Sequence, residues 1–593
     1  MKNIAPPSPP NEGDVPNSQK SRNALVTHGG STSPLLGGLG GADKPIVNEL
    51  VQLCVQAGIR EAVISPGSRN APLIFSFSSC EEIKCLTIVD ERSAAFFALG
   101  MAQQLGRAVA LICTSGTAVL NYAPAIAEAY YQRIPLAVIT ADRPPEWIDQ
   151  GDGQTIRQPD IYANYIGYSC SLNNENNAHF ISEALRVAYR ENTPVHINVP
   201  LDEPLYNRIA PPSPPEGGNV PNPKKLCNAL VTPDGSTSPL SGGLGGAVMF
   251  LSGQQKPNPE LNALLSEFAE KTGAVVLTET VSNLHNERFI TCIDRVLTSI
   301  PQNKLENFAP DLLITFDGQV TSKKIKQFIR KNKPREHWHI SASGRVAPDT
   351  YRCLTKTIKA SPVDFLKEIN CEFANFDFQK KWLAQNEIAR QRHENFLKIL
   401  AWSDLKVFSI LKNHIPENTM LQVANSTPVR YVQLFEEYSA FTCYANRGTS
   451  GIDGCTSTAA GAAYVSERPA LLITGDLSFL YDSNALWNNY LRPDFKIIVI
   501  NNGGGGIFRY ISGEMPEAEM SGYFEVTQRQ VSIELLVKSY GLHYYFCENE
   551  EELTEKLPLF FAKNDKASVL EIKTPNIENA EILKKYFKKL SNK

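Results

Sequence analysis

Short apolar runs, each unbroken by alternation and each followed by a stretch of helical pattern, recur along this chain and constrain its fold more than any other feature. In a first block, about 43–209, they read EAVISPG, AVALICTSG, PLAVITADRP and PVHINVP. In a second, about 248–370, they read AVMFLSG, AVVLTET, PDLLITFDG and EHWHISASG. In a third, from 371 onward, they read TMLQVANS, PALLITGD, FKIIVINN and ASVLEIKT. A strand with one wet face alternates, whereas a strand covered by helices on both faces is apolar throughout. Such strands alternating with helices build parallel sheets. The expected class is α/β, with three doubly wound domains and mainly parallel sheets. Ligands of such sheets sit beyond the carboxyl ends of the strands, so the residues just after each run are the candidates for chemistry.

A second feature divides the chain. The segment Ala5–Ala42 recurs as Ala210–Ala247, with most positions identical, and both copies are rich in Pro, Gly, Ser and Asn. Such segments bury too little apolar surface to offset the entropy of ordering, and two copies are too few for a stacked repeat array. The expected organisation is a disordered repeat-bearing segment over 1–42, a first domain over 43–209, an inserted linker over 210–247, a central domain over 248–370 and a last domain over 371–593. The formal net charge of -4 on 593 residues gives no reason to expect nucleic acid or an anionic membrane as partner. No apolar run approaches the roughly 18 residues of a membrane span, and the N-terminus lacks a signal-peptide core. The 12 cysteines form no CxxC pair, which suits reduced thiols and a cytoplasmic location.

The strongest chemical signal lies in the third block. The run PALLIT ends in Gly475-Asp476, and FKIIVI ends in Asn501-Asn502-Gly503-Gly504. If both runs are strands of one sheet, Asp476 and Asn502 can approach a single cation. A carboxylate and an amide oxygen suit a hard ion such as magnesium, which takes its remaining ligands from water and phosphate. The glycines admit a diphosphate close to the backbone. GGGGIF is not a P-loop, because no Lys-Ser/Thr follows it. His337-Trp338-His339 reads as a core or surface strand rather than a metal site.

The GD…NN pair resembles the cofactor motif of the thiamine-diphosphate enzyme superfamily. That resemblance implies that Gly475, Asp476, Leu477, Ser478, Asn502 and Gly504 hold thiamine diphosphate. Asp476, Asn502 and the Gly504 carbonyl would ligate Mg2+ or Mn2+. It also places the activating glutamate at Glu91, in TIVDERSAAFFALG. A carboxylate on the pyrimidine ring nitrogen favours the imino tautomer that takes the thiazolium proton.

Further motifs occur together: SPGSR at 65–69, DERxxxFxALG at 90–100, CTSGTA at 113–118, TADRPPE at 140–146, ANSTPVR at 424–430, RGTSGIDG at 447–454 and GDLSFLYDSNAL at 475–486. In this order they resemble the MenD family, the 2-succinyl-5-enolpyruvyl-6-hydroxy-3-cyclohexene-1-carboxylate (SEPHCHC) synthases of menaquinone biosynthesis, over nearly the whole chain outside the repeats. The resemblance implies decarboxylation of 2-oxoglutarate and addition of the succinic-semialdehyde carbanion to isochorismate. Both substrates are dianions, and arginine forks match carboxylates. It implies substrate-binding roles for Ser68, Arg69, Arg143, Gln154, Lys323, Lys324, Ser426, Arg430 and Arg447. Of these, Arg69, Gln154, Arg430 and Arg447 join Glu91 in catalysis. Ile452 would support the cofactor beneath its thiazolium. It further implies a homodimer or dimer of dimers, with active sites between chains. The sequence departs from the family pattern at Gly153, where some members carry a side-chain amide, and in its longer glycine run after Asn502. An acetolactate-synthase-like or simple 2-oxo acid decarboxylase is the alternative within the superfamily. A decayed, non-catalytic relative would have lost Glu91, Asp476 or Asn502, and all three are present.

Overall fold

Three six-stranded sheets carry the fold, and every strand pairing in them is parallel. They are seen in a computed structural model that describes residues 45–173, 175–202, 246–343, 346–369, 374–511, 519–524 and 531–591. The repeat copies at 5–42 and 210–247, and the disorder expected of them, lie outside the described residues apart from Gly246 and Ala247.

The first sheet contains β1 (Glu61–Ile64), β2 (Lys84–Thr87), β3 (Val109–Cys113), β4 (Leu136–Asp142), β5 (Tyr168–Ser171) and β6 (Val195–Pro200), in the order β2-β1-β3-β4-β6-β5. The second contains β7 (Val248–Leu251), β8 (Val275–Leu277), β9 (Phe289–Ile290), β10 (Leu312–Phe316), β11 (Glu336–Ile340) and β12 (Lys356–Ile358), in the order β12-β11-β10-β7-β8-β9. The third contains β13 (Met420–Val423), β14 (Thr442–Tyr444), β15 (Ala470–Gly475), β16 (Phe495–Asn501), β17 (His543–Cys547) and β18 (Ser568–Lys573). Its order, β14-β13-β15-β16-β18-β17, repeats that of the first sheet. The expected α/β class with three doubly wound sheets is therefore the observed one. The central strands β3, β4 and β13 are buried from end to end, as runs without alternation require.

The order reverses between β1 and β3 in the first sheet and between β13 and β15 in the third. At such switch points the connecting loops part and leave a crevice. SPGSR and CTSGTA follow β1 and β3, while ANSTPVR and GDLSFLYD follow β13 and β15. The motifs thus collect at two equivalent places.

The first and third sheets are joined through two helices, Glu91–Leu105 and Cys455–Val465. Both are rich in Ala and Gly, so their backbones approach closely. A Cβ built on Gly100 would lie 2.0 Å from the Thr458 carbonyl oxygen, and one on Gly461 would lie 2.0 Å from that of Phe97. Ser93 and Ser457 hydroxyls meet at 3.0 Å across the same contact. The central domain is tied to the third sheet by Asn283, whose amide donates to the Cys443 carbonyl at 2.9 Å and accepts from the Cys443 N–H at 2.8 Å. The helix Phe376–Leu397 serves two cores. Its Trp382 packs edge-on against Phe308 of the central domain, and its His393 bonds Tyr586 of the last helix at 2.8 Å. His337 and His339 are buried on β11, where both rings meet the Thr315 hydroxyl. Among the described residues, no helix is long and apolar enough to cross a membrane.

Candidate active site

The tips of β15 and β16 are adjacent, with Gly475 in register with Ile500. Asp476 opens the helix Asp476–Tyr481, and its Oδ1 accepts the Leu477 N–H at 2.8 Å. The Gly503 and Gly504 N–H groups also face this carboxylate, so the Asn502 loop wraps over Asp476. Gly503, Gly504 and Gly505 have φ of 84°, 91° and 71°. Side chains rarely adopt such angles, which explains the long glycine run. Asp476 and Asn502 are each 8% exposed. The two residues expected to meet are therefore together.

Their surroundings are acidic. The Asn502 amide nitrogen donates to the Asp404 carboxylate at 3.0 Å, which leaves the amide oxygen as the atom available to a cation. Burial raises the Asp476 carboxyl to about 6; Asp404 adds to the rise, and the backbone N–H groups oppose it. Burial likewise raises Asp404. Among the described residues, neither carboxylate is ion-paired with a lysine or arginine. A divalent cation would supply the missing positive charge, so the donor set fits one. Ser478, two residues along, bonds the Ile452 carbonyl at 3.0 Å. That contact draws RGTSGIDG to the same spot.

Glu91 occupies the first turn of its helix, behind the N-cap Asp90. Its carboxylate accepts the Asn121 amide at 3.1 Å. Asp90 and Arg92 on either side bond the Asn484 amide at 2.6 Å and the Tyr481 carbonyl at 2.8 Å. The end of the Asp476 helix and the segment just beyond it thus fix the start of the Glu91 helix.

The predicted arginines form two groups. In the first domain, the Arg69 and Arg143 guanidiniums lie 5.8 and 5.5 Å from the Trp147 ring centroid. Arg143 also donates to the Gly153 carbonyl at 2.8 Å. The position that lacks a side-chain amide therefore takes part through its backbone. Ser68 and Gln154 are exposed beside them, and the Gln154 Cα lies against Gly116 of CTSGTA. In the third domain, Arg447 donates to the Asn425 amide oxygen at 2.7 Å, and Asn425 in turn holds the Asn446 and Gly451 carbonyls, both at 2.6 Å. Arg430 stands one turn after Ser426. Gln154 and Ser426 have φ of 57° and 76°, strained values that recur at functional loops. The Nε atoms of Arg143, Arg430 and Arg447 are buried with no hydrogen-bond partner.

The lysine pair separates. Lys323 is exposed at the start of the helix Lys323–Lys331. Lys324 turns to the Thr298 hydroxyl at 2.8 Å and lies over the Phe587 ring. Instead Lys326, lowered mainly by burial, interacts electrostatically with Glu279, Arg447 and Arg430.

Four residues escape sequence reasoning: Asp404, Glu128, Trp147 and Lys326. Glu128 is 1% exposed, on the helix Thr117–Gln132. Its carboxylate accepts the Gly448 and Thr449 N–H groups at 2.7 and 2.6 Å and the Thr449 hydroxyl at 2.5 Å. It thereby clamps the loop that carries Arg447. The one available signal was an acidic residue in an otherwise apolar helical face, AIAEAYY.

Comparison with known proteins finds thiamine pyrophosphate enzyme domains along the chain. Residues 46–161 match the thiamine pyrophosphate enzyme N-terminal TPP binding domain, 251–423 the middle domain of thiamine pyrophosphate enzymes, and 426–572 the C-terminal TPP binding domain. A 2-succinyl-5-enolpyruvyl-6-hydroxy-3-cyclohexene-1-carboxylate synthase of Flavobacterium johnsoniae is 42% identical over 552 residues, covering 92% of this chain and 99% of that protein. Proteins of the same name from Porphyromonas gingivalis and Cytophaga hutchinsonii are 41% and 38% identical, over 93% and 91% of this chain and 98% of each relative.

Proposed function

Since this chain belongs to the SEPHCHC synthase family of thiamine pyrophosphate enzymes, we propose that it decarboxylates 2-oxoglutarate and joins the remaining four-carbon fragment to isochorismate. Thiamine diphosphate, when bound, supplies the electron sink for losing CO2 and the nucleophilic carbon for the new bond. Asp476, the Asn502 amide oxygen and the Gly504 carbonyl would hold Mg2+ or Mn2+, which would neutralise the diphosphate charge. Gly475, Leu477 and Ser478 line that end, and Ile452 supports the ring. Glu91 holds the proton exchanged at the pyrimidine nitrogen.

The observation that carries the substrate assignment is the set of four arginines at the strand tips, Arg69 and Arg447 buried and Arg143 and Arg430 half-buried, with unpaired Nε atoms on Arg143, Arg430 and Arg447. Each substrate brings two carboxylates. Arg430 and Arg447, with Ser426 and Lys326 beside them, form one anion-binding group. Arg69 and Arg143, with Ser68 and Gln154, form the other. Lys324 is occupied elsewhere and Lys323 is exposed, so the role expected of the lysine pair falls to Lys326, which approaches the arginines. Pyruvate, the substrate of the acetolactate-synthase-like alternative, has no second carboxylate to engage such a set.

The same reading divides the chain into a pyrimidine-binding domain over 43–209, a central domain over 248–370 and a diphosphate-binding domain over 371–593. It makes the enzyme a cytoplasmic homodimer or dimer of dimers, with Glu91 of one chain serving the metal site of another. The test is a product assay with isochorismate, thiamine diphosphate and Mg2+, supplying 2-oxoglutarate or pyruvate. Formation of the succinyl adduct with a clear preference for 2-oxoglutarate is expected. Higher kcat/KM for pyruvate would overturn the assignment.

A further inference from the structure

Asp404 lies outside every motif that marks the site, yet it touches the site directly. It opens the helix Asp404–Leu411, which precedes β13. It is 1% exposed, and each of its carboxylate oxygens is committed. Oδ2 accepts the Asn502 amide at 3.0 Å. Oδ1 accepts the Thr574 hydroxyl at 2.6 Å and the Asn579 amide at 2.8 Å. Thr574 follows β18 and is anchored through its N–H to the Asn501 carbonyl at 3.0 Å. The Asn579 amide cannot turn over freely, because its oxygen accepts the Asp404 backbone N–H at 2.8 Å.

An asparagine side chain presents an oxygen on one side and two N–H donors on the other. Only the oxygen can ligate a hard cation. The orientation of Asn502 is therefore part of the site, and an acceptor that binds its nitrogen sets that orientation. We propose that Asp404 is a positioning residue for the divalent cation: it locks the Asn502 amide with its oxygen toward the metal and adds negative charge behind it. The proposal rests on the metal reading given above. Partners that orient metal ligands in this way are worth about 10- to 100-fold in metal affinity.

The substitution Asp404→Asn tests it with almost no change of shape. An amide at 404 must place its N–H donors against either the Asn502 or the Asn579 nitrogen. Asn579 is pinned, so Asn502 turns over and offers N–H groups to the cation. The experiment measures thiamine diphosphate binding to the full chain by calorimetry as Mg2+ is titrated, beside thermal melting of the free protein. The expected result is a rise in the Mg2+ half-saturation concentration of about 10- to 100-fold, with turnover restored at saturating Mg2+. A merely structural role would not give that rescue. Half-saturation within twofold of wild type overturns the proposal. If Asp404→Asn does not fold, Thr574→Val, which removes one donor from the far oxygen, is expected to raise half-saturation a few-fold, and no change overturns the proposal. If wild type itself binds cofactor without any divalent ion, the metal reading falls and Asp404 falls with it. A wild type that needs Mg2+ and an Asp404→Asn that needs no more of it defeats the Asp404 role alone.

Discussion

Replacing Glu128 by Gln should weaken the enzyme through the Gly448–Thr449 loop that its side chain clamps. In the native protein Oε1 accepts the Gly448 N–H and the Gln132 amide, while Oε2 accepts the Thr449 N–H and hydroxyl. A glutamine can present only one oxygen. Its amide nitrogen must face either the Gly448 or the Thr449 N–H, and donor against donor leaves one buried backbone group unsatisfied. That costs about 1–3 kcal/mol, beyond the lost charge assistance of the remaining bonds. The site has no slack to absorb the change, because a Cβ at Gly448 would already lie 2.6 Å from the Glu128 carbonyl oxygen. Arg447 immediately precedes the loosened loop. If about 2 kcal/mol carries into substrate positioning, kcat/KM for the 2-oxo acid falls about 30-fold. Steady-state kinetics with 2-oxoglutarate, alongside calorimetric titration of the cofactor, read this out. Cofactor affinity should stay near wild type while KM rises. Unchanged kinetics with an unchanged melting temperature would refute the claim that Glu128 holds the Arg447 loop.

Gly461→Ala should destabilise the chain by about 3 kcal/mol or more, since overpacking a tight contact costs 1–3 kcal/mol and the new Cβ would meet only the Phe97 backbone; a melting temperature within a degree of wild type would contradict this helix contact. Arg447→Lys keeps the charge but loses the fork, so the KM for 2-oxoglutarate should rise at least about tenfold while Asn425, its partner, is left intact; kinetics at varied 2-oxo acid check it. Burial holds His196 and His393 down at about 3, from an ordinary 6.5. The unfolded chain therefore takes up a proton at each below pH 6.5 while the folded chain does not. Their stabilising contribution is full above pH 6.5 and is lost as pH falls, by about 1.4 kcal/mol per unit for each histidine. His393→Gln should accordingly lower the pH slope of unfolding free energy between pH 6 and 4.5 by about one proton, measured by denaturant titration; an unchanged slope would show that His393 does not remain neutral.

The sheets were legible because the central strands are mostly apolar runs without alternation: β4 and β16 stand out in PLAVITADRP and FKIIVINN even with Thr140 and Lys496 among them. Strand order was not legible, since nothing in a single run says that β14 pairs outside β13. The meeting of Asp476 and Asn502 could be read from two strand ends, because adjacent parallel strands bring their tips together. Asp404 could not, because its partner lies 98 positions away and a Ser-Asp pair before a helix reads as an ordinary cap. Glu128 was hidden for a similar reason. Its donors are backbone N–H groups, which leave no mark on the sequence. The lysine helix was legible in place but not in direction: on one helical turn, neighbouring lysines face different ways, so Lys324 turns aside and the third lysine, Lys326, faces the arginines.

The claim beneath the whole account is that Asp476 and Asn502, at two neighbouring strand tips, bind the cofactor through a divalent ion, while Glu91 acts on its ring. Calorimetric titration of thiamine diphosphate in Mg2+ separates these roles. The account predicts that Asp476→Ala and Asn502→Ala each abolish Mg2+-dependent binding, whereas Glu91→Gln still binds but turns over about 10²–10⁴-fold more slowly. Wild-type binding by both strand-tip variants would contradict it.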